Sequence, residues 1–165
     1  IPIWNSKSSS NSLNPIIWDY HVIGLYLHPS NWSESVILDV DSRLSFPCKV
    51  GTFVEGSFQP QLVESQPIPK KWKHQFRCIP AQQYLNTFYS DRSHMLDLRD
   101  KTKKTYLSTP PTYPCILLEG MKNGTNLMKE FVDMKNRNGI GFVTDLDGFI
   151  NFVKNFKQQS ASKAK

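Results

Sequence analysis

The chain has 165 residues, 39% hydrophobic and 12% aromatic, enough to bury the core of one domain and too apolar for a disordered tail. Its formal charge is +6, no apolar run nears the roughly 20 residues that cross a bilayer, and the opening IPIWNSKSSS lacks the basic start and apolar centre of a secretory leader. Cys48, Cys78 and Cys115 are an odd count at wide spacings, which excludes both a disulfide framework and a paired-thiol zinc site and points to a reducing compartment.

In chain order, the Ser- and Asn-rich stretch Asn5 to Asn14 ends at Pro15 and reads as a surface loop. A strand is predicted from Ile16 to Leu27. The two-residue period puts Ile17, Asp19, His21, Ile23, Leu25 and Leu27 on one face and Ile16, Trp18, Tyr20, Val22 and Tyr26 on the other, both covered as in a central strand. Turn chemistry in HPSNWSES and β-branched residues in VILDVDS then predict an antiparallel hairpin. Pro47 and Gly51 make SFPCKVGTFVEGSF irregular, and the prolines of QPQLVESQPIPKKW make it an exposed loop.

QFRCI reads as a short strand, and Pro80 opens a helix on which Ala81, Tyr84, Leu85 and Phe88 recur at helical spacing. The stretch from Ser90 to Ile116 is mostly loop, with Pro110, Pro111 and Pro114 excluding regular structure. Leu127, Met128, Phe131 and Met134 mark a helical face, and IGFVT a strand. Thr144 followed by Asp147 resembles a capped start for a helix with the stripe Leu146, Phe149, Ile150, Val153 and Phe156. The residues after Phe156 are expected to be disordered, leaving one domain over residues 1–156.

Much of the positive charge lies in KKWKHQFR, RDKTKK and the tail. With Trp72 and Phe76 interleaved, such stretches could follow a nucleic-acid backbone, but no nucleic-acid motif accompanies them and a solvated face is the plainer reading. The sequons at Asn31 and Asn123 matter only in a secreted protein.

The chemistry concentrates in the hairpin. His21 and Asp39 are an even number of positions apart, so both side chains can point to one face. In a register that sets Ile23 opposite Asp39, they become diagonal neighbours, roughly 7 Å apart at the backbone. A carboxylate on one ring nitrogen fixes the tautomer and leaves the other to accept a proton from a thiol or hydroxyl. Asp41 has the same parity, so pattern does not choose between the acids. None of the three cysteines opens a helix where a thiolate is stabilised. His94 is a polar candidate for a site rim, whereas His28 and His74 read as surface.

PIIWDYHV resembles the signature of the protein N-terminal glutamine amidohydrolases. DVDSRLSFPC, FRCIPAQQYLNTFYSDRSHM, PPTYPCI, NLMKEFVDM and GIGFVTDLDGFINFV are similar to further family segments, in the same order, up to about Phe156. The resemblance implies hydrolysis of the side-chain amide of an N-terminal glutamine, giving glutamate and ammonia, as a first step of a degradation-signal pathway in cytoplasm and nucleus. It implies an α+β fold similar to transglutaminase- and papain-like cysteine hydrolases, with a mainly antiparallel sheet packed between helices. The family's catalytic histidine falls on His21 and its aspartate on Asp39. Its nucleophilic cysteine belongs to a CYCEEN-like segment upstream of Ile1, so the chain is expected to be N-terminally truncated and inactive alone. Trp18, Asp19, Asp91 and His94 are the candidates for substrate contact, the acids for a free α-ammonium. Neither metal nor organic cofactor, nucleic acid nor membrane is expected, and a monomer is.

Overall fold

A computed structural model of the chain describes residues 1–65, 69, 72–102 and 105–156. They form two compact units, residues 1–75 with 144–156 and residues 76–143. The expected disordered tail, residues 157–165, lies outside the described residues, as do parts of two basic stretches. Among the described residues no helix is long and apolar enough to cross a membrane.

In the first unit β1 (Pro2–Ile3) pairs antiparallel with β2 (Ile16–Ile17). A second antiparallel sheet has the order β3 (Gly24–Tyr26), β4 (Val36–Leu38) and β5 (Cys48–Lys49). The predicted hairpin is thus present, its connection closed by one 3-10 turn, Trp32–Glu34, which Asn31 caps through Ser33 N–H. The fold is mixed α and β, as expected, with the pairing among the described residues divided between small antiparallel sheets.

The long strand over Ile16–Leu27 does not form. Its backbone leaves the β1–β2 ladder after Ile17 and re-enters a ladder only at Gly24, so His21 sits in the irregular link. Exposure explains why. Ile17 and Asp19 are exposed, while His21, Ile23, Leu25 and Leu27 are half-buried, so the covered face changes phase between Tyr20 and His21. A straight strand cannot change faces; a bend can. Only one face of β3 and β4 is covered, and Val22, Tyr26, Leu38 and Val40 are exposed on the other.

Where irregular chain was predicted after Pro47, α1 (Val50–Phe53) packs on β4 and β5 and runs into a wider helical turn, Val54–Phe58. Val50, Phe53, Val54, Ser57 and Phe58 recur at helical spacing and are all buried, and that apolar stripe outweighs the weak helix preference of Gly51. Pro60 likewise opens α2 (Pro60–Ser65) instead of forbidding it, because a first-turn residue has no helical acceptor to lose. The Asn5–Asn14 loop is better anchored than its composition suggests. Ser6 and Ser9 are buried, and the Arg43 guanidinium donates to the carbonyls of Ser6 (3.0 Å), Lys7 (3.4 Å) and Ser9 (2.6 Å).

The second unit holds β6 (Gln75–Cys78) and β7 (Phe142–Asp145), which form a two-stranded sheet and run past the unit's ends, and α3 (Ala81–Thr87). Tyr84 of α3 and Phe88, which ends the helix, stack at 4.9 Å and both meet the buried Phe131 edge-on, whereas Leu85, placed on the same face by spacing, is exposed. The predicted helix around Phe131 is a single wide turn, Leu127–Val132. A side chain at Gly141, where φ is +70°, would collide with the Cys78 carbonyl, so glycine is required there. The chain re-enters the first unit through α4 (Leu146–Asn155), whose Phe149 and Val153 are buried; its cap is Asp145, accepting from Gly148 N–H at 2.9 Å, one residue later than Thr144.

His74 is not on the surface. It is 3% exposed, its ring lies 4.9 Å from that of Phe58, and Nε2–H donates to the Pro2 carbonyl at 2.8 Å. Burial lowers its pKa and the bond to Pro2 offsets this only in part. The unfolded chain therefore takes up a proton first as pH falls, so stability is full above about pH 6.5 and is lost as pH drops toward the lower folded value. Urea melts across this range are expected to show the loss, and His74→Phe to flatten it while costing about 1 kcal/mol for the missing hydrogen bond.

Candidate active site

The register Gly24↔Leu38, Leu25↔Ile37, Tyr26↔Val36, carried one step further, sets Ile23 opposite Asp39. His21 and Asp39 are then diagonal neighbours, and their side chains meet: Nε2 of His21 lies 3.1 Å from Oδ2 of Asp39. The two side chains are 14% and 4% exposed. A carboxylate only accepts, so Nε2 carries the proton of this bond. Nδ1 makes no hydrogen bond to another described residue and is the nitrogen left to act as a base.

Asp39 is held from its other side as well. Directly after β4 the chain turns, and Asp41 N–H donates to Oδ1 at 3.0 Å, so both carboxylate oxygens are engaged before any ligand arrives. Burial works to raise the Asp39 pKa, but the bond from His21, the Asp41 N–H and the charges of His21 and Lys7 together outweigh it, and the group titrates below its ordinary value. At neutral pH it is a carboxylate able to stabilise an imidazolium.

Asp41, which parity alone could not set aside, is spent elsewhere. It accepts from the hydroxyls of Ser6 (2.5 Å) and Ser8 (3.2 Å) and so ties the Ser-rich loop to the hairpin. Its function here is structural.

Trp18 lies against His21, with ring centroids 5.4 Å apart and planes inclined by 31°. An odd separation on a straight strand would have put these rings on opposite faces; the bend after Trp18 brings them together. Sequence reasoning missed this contact, because the composition suits a strand throughout and the change of burial phase shows only in the fold. Asp19 is exposed beside them in sequence.

Asp91 and His94 belong to the second unit. Asp91 accepts from Ser93 N–H at 2.9 Å and Gly124 N–H at 2.7 Å, and the Ser93 bonds hold its pKa down against a small burial effect. His94 is half-buried in a 3-10 turn, and its Nδ1 is buried with no partner among the described residues. The neighbouring Arg92 donates to the carbonyls of Pro111, Tyr113 and Pro114, clamping the proline-rich loop.

All three cysteines are free thiols. Cys48 is buried in β5, burial pushes the Cys78 thiol up to about 11, and Cys115 is exposed. The raised Cys78 thiol is not suited to ionise near neutral pH. Among the described residues no group of three or more His, Cys, Asp or Glu side chains could hold a metal ion.

Residues 1–153 match the family model described as N-terminal glutamine amidase. Curated proteins named protein N-terminal glutamine amidohydrolase are similar to the chain. The Danio rerio protein is 40% identical over 94% of this chain and 69% of its own length, the Bos taurus protein 37% over 92% and 66%, and the Homo sapiens protein 37% over 90% and 66%. The chain spans about two thirds of the length of the curated relatives it matches.

Proposed function

Because the chain belongs to the N-terminal glutamine amidase family, we propose that it carries the base and orienting acid of an enzyme that hydrolyses the side-chain amide of an N-terminal glutamine, releasing ammonia and leaving N-terminal glutamate. The observation that carries this reading is the 3.1 Å bond between His21 and Asp39, made by two nearly buried side chains with Nδ1 left over.

In this reading the nucleophile is a cysteine outside these 165 residues. Its thiol proton passes to Nδ1 of His21, and the thiolate attacks the amide carbonyl of the substrate. The imidazolium returns that proton to the departing nitrogen, ammonia leaves, and a thioester remains. His21 then takes a proton from water as water attacks the thioester, and glutamate is released with the thiol restored. Asp39 keeps the ring in one tautomer and offsets its charge in both halves. An exposed acid in the same unit as His21, Asp19, meets the α-ammonium that distinguishes a terminal glutamine from an internal one. The scaffold of this reading is that of transglutaminase- and papain-like cysteine hydrolases, acting as a monomer on proteins in cytoplasm and nucleus and feeding a degradation-signal pathway.

The test is ammonia release from a short peptide beginning with glutamine, with mass spectrometry of the product. A chain as long as the relatives should convert that peptide and leave one with an internal glutamine untouched. The 165-residue chain alone should show no turnover. No release by the longer chain, or equal release from the internal glutamine, would overturn the reading.

A further inference from the structure

Trp18 is more than a wall residue beside the imidazole. Its backbone N–H donates to the Ile1 carbonyl at 2.9 Å, one step beyond the β1–β2 pairs Pro2↔Ile17 and Ile3↔Ile16, so the indole is carried on the last anchored residue before the chain bends. Three residues later His21 has no ladder of its own to hold it. What restrains its ring is the bond to Asp39 on one side and the indole on the other, at a centroid distance of 5.4 Å, within the usual range for paired rings.

The indole N–H gives a second clue. It is buried and has no hydrogen-bond partner among the described residues, an arrangement that costs free energy and that a phenyl ring would avoid. The indole is therefore placed for its face, not for its donor. A flat, polarisable surface beside the ring limits rotation about the His21 side-chain bonds.

We propose that Trp18 is a positioning residue, whose indole face fixes the plane of the His21 imidazole so that Nε2 stays on Asp39 and Nδ1 stays turned to the reacting atoms. The geometric part stands on the contacts of this chain; the catalytic consequence rests on the amidohydrolase reading above.

The experiment reads the ring directly, by nitrogen-detected NMR of the histidines in the 165-residue chain, with His21 assigned through His21→Gln. The wild-type ring is expected in the Nε2–H tautomer with a slowly exchanging proton. Trp18→Phe, which keeps an aromatic face, should preserve both features. Trp18→Leu should mix the tautomers and speed exchange by about tenfold or more. Exchange in Trp18→Leu within about twofold of wild type, or equal loss in Phe and Leu, would overturn the proposal. If Trp18→Leu does not melt cooperatively, the wild-type ring decides: slow exchange with cross-relaxation to the indole protons supports the assignment, and fast exchange defeats it.

In the longer chain, Trp18→Leu should lower kcat by about ten- to a hundredfold with KM little changed, and Trp18→Phe should recover most of that loss. An unchanged kcat would also overturn the proposal. Failure of the wild-type longer chain to release ammonia would instead remove the amidohydrolase reading, with the ring measurements left to decide the geometry.

Discussion

His21→Ala in a chain as long as the relatives is expected to lower kcat for ammonia release by about a thousandfold or more, since a positioned acid–base group contributes on the order of 10²–10⁴ and here serves in every proton transfer. KM should move little, because the imidazole acts on the reacting atoms more than on the bound peptide. The fold pays a smaller cost. Removing the ring leaves the Asp39 carboxylate, 4% exposed, with the Asp41 N–H as its remaining partner on the hairpin, and an under-satisfied buried acceptor costs about 1–3 kcal/mol. His21→Gln, which can still donate toward Asp39, separates the two effects: it should recover stability in a thermal melt but not turnover. Retention of more than about a tenth of wild-type kcat by either variant would place the base elsewhere.

How far the sequence could be read depended on whether one period ruled a segment. The hairpin was legible because alternation on VILDV and the turn residues before it agree, and its register follows once Asp39 is set opposite Ile23. The helix carrying Phe149 and Val153 was legible for the same reason at helical spacing. The helical turns from Val50 to Phe58 were hidden by Pro47 and Gly51, whose local preferences were overridden by five side chains burying together. The link holding His21 was misread most instructively. Its composition suits a strand throughout, and only burial shows that two halves with opposite phase meet at a bend. That bend is what gives the site its geometry, since it frees His21 from a ladder and brings Trp18 to its face. Asp39 and Asp41, equal by parity, are separated by the Ser-rich loop, whose hydroxyls take the second acid; no local pattern announces a contact so distant in sequence.

The same separation sets up the sharpest comparison between variants. Asp39→Asn preserves shape but removes the charge that stabilises an imidazolium and lets the amide favour the wrong tautomer, so kcat is expected to fall by about a thousandfold with KM little affected. Asp41→Asn disturbs the bonds to Ser6 and Ser8 and should lower the melting temperature while leaving kcat within about threefold of wild type, since it touches neither ring nitrogen. The pH dependence supplies an independent reading. The Asp39 pKa is lowered in the fold because the His21 and Asp41 bonds outweigh burial, so its contribution to stability is present above the ordinary carboxylate value near 3.9 and is lost as pH falls through the lower folded value. Asp39→Asn should remove that part of the acid slope in chemical melts, and Asp41→Asn should retain it. Equal losses of kcat from both substitutions would mean that the carboxylate on Nε2 is not what orients the base, and the division of labour between the two acids would fall with it.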